Sequence, residues 1–346
     1  MRRVTDLQLR AVILCGFCVI VTSCTQSRMS KPEPVMVTFT PPARILDLKG
    51  AIGAHDPAII KADGIYYRFI TGPGIPIGCS PDLISWTACG RVFNLLPIPV
   101  YKSVPGVKDL WAPDISFFGG KYHLYYAAST FGSNHSAIAL ATNTTLDATA
   151  KGYKWIDEGV VLESRENDNY NAIDPNFILD QDGRAWLAFG SFWTGIKIIE
   201  LDPATGKVLA TSSIISLAQR SGNTAIEAPF VVFRNGYYYL FVSFDQCCNG
   251  VESTYNIRVG RSKSVTGPYI DRDNTSMLVG GGSLLLVGNA TWRGPGHNSV
   301  LIDEGTFWLV YHAYDIKSNG VPLLHIESLD WDSEGWPHAP SAQAQT

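Results

Sequence analysis

The chain is 346 residues long with 46% hydrophobic, 11% aromatic and 17% charged residues, too apolar for disorder and ample for a buried core. Its 27 basic and 31 acidic residues leave a net charge of −4 with no basic cluster, which argues against a nucleic-acid partner. The sequence carries no phosphate loop, dinucleotide fingerprint or paired CxxC, so nucleotide and zinc chemistry have no support.

The first element in chain order is a targeting segment. Arg2, Arg3 and Arg10 precede the apolar run AVILCGFCVIVT, which is too short to span a bilayer and reads as a signal h-region. The run ends VTSC, and the small residues before Cys24 resemble a bacterial lipoprotein box. That pattern implies cleavage before Cys24, lipidation of its thiol, and an exported protein tethered to a membrane of the cell envelope, on the outer membrane or the cell surface. An ordinary signal peptide cleaved nearby, giving a secreted protein, is the alternative. Residues 27 to about 42, rich in Pro, Ser and Thr, read as a tether. The expected division is a signal peptide over 1–23, a lipidated tether and lead-in over 24–50, one folded domain over 51–340 and a tail over 341–346.

Within that domain helical periodicity is nearly absent, and one phrase returns five times: a polar residue, usually a Pro, an apolar run, a Gly turn, then an aromatic-rich run. The copies are HDPAIIKADGIYYRFIT from His55, APDISFFGGKYHLYYAA from Ala112, IDPNFILDQDGRAWLAFGS from Ile173, EAPFVVFRNGYYYLFVSF from Glu227 and GHNSVLIDEGTFWLVYHAY from Gly296. Each reads as a hairpin, with two β-rich runs flanking a short turn in which Gly64, Gly120, Gly183, Gly236 or Gly305 accepts positive φ cheaply. Those glycines are 56, 63, 53 and 69 residues apart, longer than one hairpin and suited to a four-stranded unit. Repeats of that length in an all-β chain predict a five-bladed β-propeller; a β-sandwich with look-alike hairpins is the alternative.

The polar slot holds Asp56, Asp174 and Glu227 in three copies. Innermost strands of a propeller surround its axis, so these three carboxylates should converge at one opening. Their mutual repulsion and burial raise the pKa of the least solvated, so one can stay protonated while another is ionised, as glycoside hydrolysis requires. A metal cage or a set of strand-start turn residues are the competing readings. The second copy, Ala112-Pro113-Asp114, shifts its acid, which assigns Asp114 to turn structure. Cys79 and Cys89 flank one candidate hairpin and could form a disulfide. Cys247 and Cys248 follow Asp245, which places them on a loop near the propeller mouth with a binding-surface or vicinal-disulfide role.

The strings AHDPAII, DLWAPDI, YYAASTFGSN, DNYNAIDPN, FGSFWTGIK, AIEAPF, FDQCC, STYN, VGRSKSVTGPY, GPGHNS, LVYHAYD and GWP, in this order from about Ala54 to Pro337, resemble the endo-1,5-α-L-arabinanases of glycoside hydrolase family 43, a five-bladed propeller family. The resemblance implies an enzyme that inverts configuration, with Asp56 as general base, Glu227 as general acid and Asp174 raising the pKa of the acid. The Asp56 and Glu227 carboxyl groups are then expected roughly 6.5 to 9.5 Å apart, leaving room for a water. Trp111, Phe131, Phe192 and Trp193 are candidates for stacking on arabinofuranose rings, although each could instead be a core aromatic between blades. By the same resemblance Gly132, Asn171, Ala172, Ile173, Gly190, Ser191 and Phe192 line the sugar subsites. His297 is implied to help hold an axial hydrated ion, usually calcium. Histidine is a soft ligand for so hard an ion, and a histidine bonded to the carboxylates with no metal is the alternative. His55 reads as an orienter of Asp56.

The implied substrates are arabinan and arabino-oligosaccharides, cut at internal α-1,5 bonds by a monomer. An exo-acting α-L-arabinofuranosidase or β-xylosidase, and a lipid-anchored glycan-binding propeller without activity, are the alternatives.

Overall fold

The computed structural model describes residues 44–222 and 225–343; the signal segment and Cys24 lie outside them. Among the described residues five blade sheets, antiparallel apart from the short parallel pairing of Lys49–Gly50 with Ser85–Arg91, follow one another along the chain, with a further two-stranded pairing of Asp330–Trp331 and Pro337–His338. Their innermost strands are Ala58–Ala62, Trp111–Phe118, Asn176–Leu179, Ile226–Arg234 and Trp292–Asp303, here heading blades I to V. Each innermost strand touches the next, and that of blade V touches that of blade I, so the ring closes as the five-bladed propeller expected from the repeats.

Period-2 alternation explains the packing, because successive side chains of a strand face opposite neighbours. In blade II, Leu124, Tyr126 and Ala128 join the core shared with blade I, while Tyr125 joins the one shared with blade III. In blade IV, Tyr238, Leu240 and Val242 face blade III, and Tyr239 and Phe241 face blade V. A fifth core, with Trp86 and Trp308, joins blade V to blade I. Five cores for five blades cover both faces of the inner strands, which is why the second strands Lys121–Ala128 and Tyr237–Phe244 are aromatic and aliphatic on both faces, while outer strands such as Ser85–Arg91 are largely exposed.

Blade V has three strands of its own, and its outer edge Val321–Ser328 is completed by the start of the described chain. Leu46 N–H donates to Ile326 O at 3.0 Å, Leu324 N–H to Ile52 O at 2.8 Å and Ser328 N–H to Arg44 O at 2.7 Å. Residues from 44 onward, expected as lead-in, thus pair the open edge and lock first blade to last. At the other end Ser341, in the expected tail, bonds both carboxylate oxygens of Glu327.

Candidate active site

In each innermost strand, or just before it, one residue lies in the left-handed region: Asp56 (φ 51°), Ala112 (φ 46°), Asp174 (φ 56°), Ala228 (φ 56°) and His297 (φ 47°). Such φ values are uncommon outside glycine and store strain. The pairing of the inner two strands shifts here in blades II, IV and V, as a β-bulge requires. Side chains of the preceding blade latch several of these bulges. Ala112 N–H donates to Thr71 Oγ1 at 2.8 Å, Ala228 N–H to Asp174 Oδ2 at 3.0 Å, His297 N–H to Ser243 Oγ at 2.9 Å and Asp56 N–H to His312 Nδ1 at 3.2 Å.

This register corrects the sequence alignment by one residue. Asp56 and Asp174 share the strained slot, but in blade IV the slot holds Ala228, and Glu227 stands one position earlier, at the place that His55, Trp111, Ile173 and Gly296 occupy in the other blades. Asp114 is corrected too. It lies inside the strand Trp111–Phe118, buried, and accepts Phe177 N–H at 2.7 Å and the Asn176 side-chain amide at 3.3 Å. Burial pushes its carboxyl up to about 6 despite those donors. It ties blade II to blade III rather than making a turn.

Asp56, Asp174 and Glu227 all line one cleft of about 820 Å³. Their surroundings differ. Asp56 is 8% exposed, and burial would raise its carboxyl, but imidazoles on both oxygens outweigh that. His297 Nδ1 lies 3.0 Å from Oδ1 and His55 Nδ1 2.9 Å from Oδ2, and together they hold Asp56 well below the usual carboxylate range. Thr71 Oγ1 adds a bond to Oδ2 at 2.5 Å. His55 is oriented in turn by Tyr314, whose hydroxyl is 2.9 Å from His55 Nε2. His297 is itself buried, which disfavours its charge, yet Asp56 and Asp174 raise it to about 9. It therefore carries a positive charge at neutral pH.

Glu227 sits among hydroxyls instead. Ser191 Oγ donates to Oε2 and Tyr255 Oη to Oε1, both at 2.6 Å. The Tyr255 ring reaches this place by crossing Gly296, where an added Cβ would lie 2.0 Å from Tyr255 Cδ1. Asp174, 6% exposed, is raised to about 7 by burial and by the charges of Glu227 and Asp56, against the opposing charge of His297. Near neutral pH this corner therefore holds a proton while Asp56 is ionised.

Of the expected subsite residues, Trp111, Phe131, Gly132, Asn171, Ile173, Ser191, Phe192 and Trp193 line the cleft. Trp111 belongs to none of the five cores and packs on the 82% exposed Phe131 with ring centroids 5.1 Å apart. Ala172 and Gly190 are not among the residues that line the cleft. Ala172 is fully buried in the core between blades II and III. Gly190 is needed for its own chain, since a Cβ there would meet Gly195 O at 2.6 Å. Thr71, Tyr255 and Tyr314 were missed by sequence, because nothing in a hairpin phrase marks which hydroxyl ends beside a carboxylate. Both cysteine pairs are disulfides: Cys79–Cys89, with Cα atoms 5.8 Å apart, and the adjacent Cys247–Cys248 on the cleft wall.

A bulged carboxylate ring at a propeller mouth agrees with the comparison to known sequences. The profile described as glycosyl hydrolases family 43 matches residues 51–337. The chain belongs to glycosyl hydrolases family 43. It is 48% identical over 290 residues, 82% of this chain and 86% of the relative, to the extracellular endo-α-(1→5)-L-arabinanase 1 of Bacillus subtilis. It is 42% identical over 298 residues, 83% of this chain and 86% of the relative, to the extracellular exo-α-(1→5)-L-arabinofuranosidase ArbA of Cellvibrio japonicus. The solved Cellvibrio cellulosa α-L-arabinanase complexed with arabinohexaose superposes with a TM-score of 0.82 at 40% identity, covering 85% of this chain and 97% of that one. This family 43 glycosyl hydrolase thus shares its whole propeller with enzymes of both endo and exo name.

Proposed function

We propose that the protein hydrolyses internal α-1,5-L-arabinofuranosidic bonds of arabinan, the pectin side chain, with inversion of configuration. The observation that carries this reading is the pairing of unlike carboxylate environments in one cleft: Asp56 held ionised by two imidazoles, and Glu227 beside a proton-bearing Asp174. Asp56 takes a proton from a water that attacks the anomeric carbon, while Glu227 delivers its proton to the leaving glycosidic oxygen. Glu227 is left as a carboxylate, and the Ser191 and Tyr255 hydroxyls stabilise that charge as it develops. Asp174 keeps the proton in this corner up to neutral pH and latches blade IV through Ala228 N–H. Trp111, Phe131, Phe192 and Trp193 offer apolar faces to the sugar rings.

The similarity to ArbA supports exo action as a second reading. A time course on linear and debranched arabinan, with Glu227→Ala as control, separates them. Viscosity that falls while few reducing ends appear supports endo cleavage; arabinose monomer from the first minute overturns it in favour of exo action.

Calcium on the axis is also a proposal. Among the described residues the one group of three candidate ligands, His55, Asp56 and His312, offers two nitrogens and a single carboxylate, whereas calcium takes six to eight oxygens. These side chains suit the ion only if it keeps its water shell, with His297 as a nitrogen contact. His297 must then be neutral, so the ion would replace the imidazolium charge that offsets the carboxylates. We assign no catalytic step to it. Export is supported by relatives named extracellular, and anchoring through Cys24 completes the proposal. Extraction of the mature protein into detergent but not into high salt would support the anchor, and a fully soluble mature form would overturn it.

A further inference from the structure

The two walls of the cleft are chemically unlike. Blades II and III contribute Trp111, Phe131, Phe192 and Trp193. The wall from the loop after the blade IV hairpin contributes Gln246, Cys247, Cys248 and Asn249, with no aromatic ring among them. A furanose ring presents C–H faces edged by hydroxyls, so each subsite needs an apolar surface flanked by hydrogen-bonding groups. On this second wall the Cys247–Cys248 disulfide is that apolar surface, since its sulfurs are weak hydrogen-bonding groups. The flanking Gln246 and Asn249 are exposed and carry amides suited to sugar hydroxyls.

The loop is held firmly enough to act as a wall. Thr254 and Tyr255 N–H both donate to Gln246 O, at 2.9 and 3.1 Å, and Asn249 N–H donates to Ser253 Oγ at 3.0 Å. Blade V clamps its far side: a Cβ on Gly320 would lie 2.5 Å from Gly250 Cα. Cys248 takes a left-handed φ of 67°, and its N–H donates to the Tyr314 hydroxyl at 2.9 Å. That same hydroxyl orients His55 beside Asp56. The exposed disulfide is therefore fixed relative to the proposed base as well as to the cleft.

We propose that Cys247–Cys248 is the apolar platform of a sugar subsite for an arabinofuranosyl unit, on the side of the cleft opposite the aromatic wall. The proposal rests on the arabinan reading above. It predicts that affinity for longer chains, which reach both walls, depends on the bridge more than turnover does.

The test is steady-state kinetics and the cleavage pattern on arabinohexaose for wild type, Cys247→Ala/Cys248→Ala, and Cys79→Ala/Cys89→Ala, which removes the bridge remote from the cleft. Thermal unfolding of each variant identifies any that fails to fold. The expected result is a KM about five- to tenfold higher in the Cys247/Cys248 variant, the scale of one lost apolar contact, with kcat changed less than twofold. The positions of the bonds cut should shift as well, and the Cys79/Cys89 variant should keep the wild-type KM and pattern. Tyr314→Phe separates contact from orientation: it should lower kcat while KM holds. Unchanged KM and cleavage pattern in the Cys247/Cys248 variant, or a loss confined to kcat as in Tyr314→Phe, overturns the subsite. Should the Cys247/Cys248 variant not fold, Gln246→Ala and Asn249→Ala on the same wall should each raise KM for arabinohexaose, and wild-type values in both overturn the proposal. Wild type inert on arabinohexaose would instead overturn the arabinan reading.

Discussion

Two corners of the cleft carry carboxylates of the same charge in opposite company. At the junction of blades I and V, Asp56 lies between the imidazoles of His55 and His297. At the junction of blades III and IV, Glu227 meets only hydroxyls, with Asp174 beside it. Charge partners pin a carboxylate in its ionised form, whereas hydroxyls stabilise a carboxylate without supplying a positive charge, so a neighbouring acid can keep a proton close. The division between base and acid is written in these neighbours more than in the acids themselves.

The sharpest way to break the contrast is to remove one member of each corner. Asp56→Asn and Glu227→Ala should each lower kcat/KM on arabinan by about 10³ to 10⁴. On an arabino-oligosaccharide with a nitrophenol leaving group, which needs no proton, Glu227→Ala should recover most of its activity while Asp56→Asn should not. Equal recovery in both would dissolve the distinction.

Next in size is Gly296→Ala. Its methyl group would drive the Tyr255 ring off Glu227, at about 1 to 3 kcal/mol of overpacking, and lower kcat with it. Tyr255→Phe keeps the ring and removes only the bond to Oε1, so it should reduce kcat about tenfold, leave KM alone and leave the melting temperature nearly unchanged.

The pH profile sharpens the same comparison. Activity needs Asp56 ionised and Asp174 protonated. Because Asp56 lies well below the usual range, the acid limb should fall only in strong acid; because Asp174 stands at about 7, kcat/KM should decline as pH rises through that value. Stability follows in smaller measure. Asp174 and His297 have raised values, about 7 and about 9, whereas burial lowers His123, His312 and His325, so the folded state binds more protons than the unfolded one only above about pH 7, where those three histidines are neutral in both states. Above that point the contribution of His297 is lost as pH rises, and the melting temperature should drift downward from about pH 7.5 to pH 9.

Much of this was legible in the sequence, and the rest was hidden for identifiable reasons. The hairpin phrase reports a period-2 pattern with glycine turns, and that is enough to give blades and their number. Asp56 and Asp174 announce themselves by preceding a proline in matched slots. Glu227 does not: the residue before the proline in its copy is Ala228, so aligning the copies on Pro57, Pro113, Pro175 and Pro229 would have placed Glu227 one position ahead of the slot, as the left-handed φ of Ala228 shows. Asp114 misled because Asp near Pro looks like a turn until its acceptor bonds to blade III are seen. Thr71, Tyr255 and Tyr314 meet their carboxylates or His55 across gaps of 15 to 259 residues, and pairing over such distances has no signature in a single sequence. The closure of blade V by residues from 44 onward was missed because that stretch carries too short a pattern to read as a strand.

The central claim is that Asp56 activates a water on one face of the sugar while Glu227 protonates the leaving oxygen on the other. Proton NMR of the first anomer released from an α-1,5-linked arabino-oligosaccharide tests it directly. The arrangement predicts that the β-anomer appears first and mutarotates to the mixture; an α-anomer at the earliest time points would contradict it.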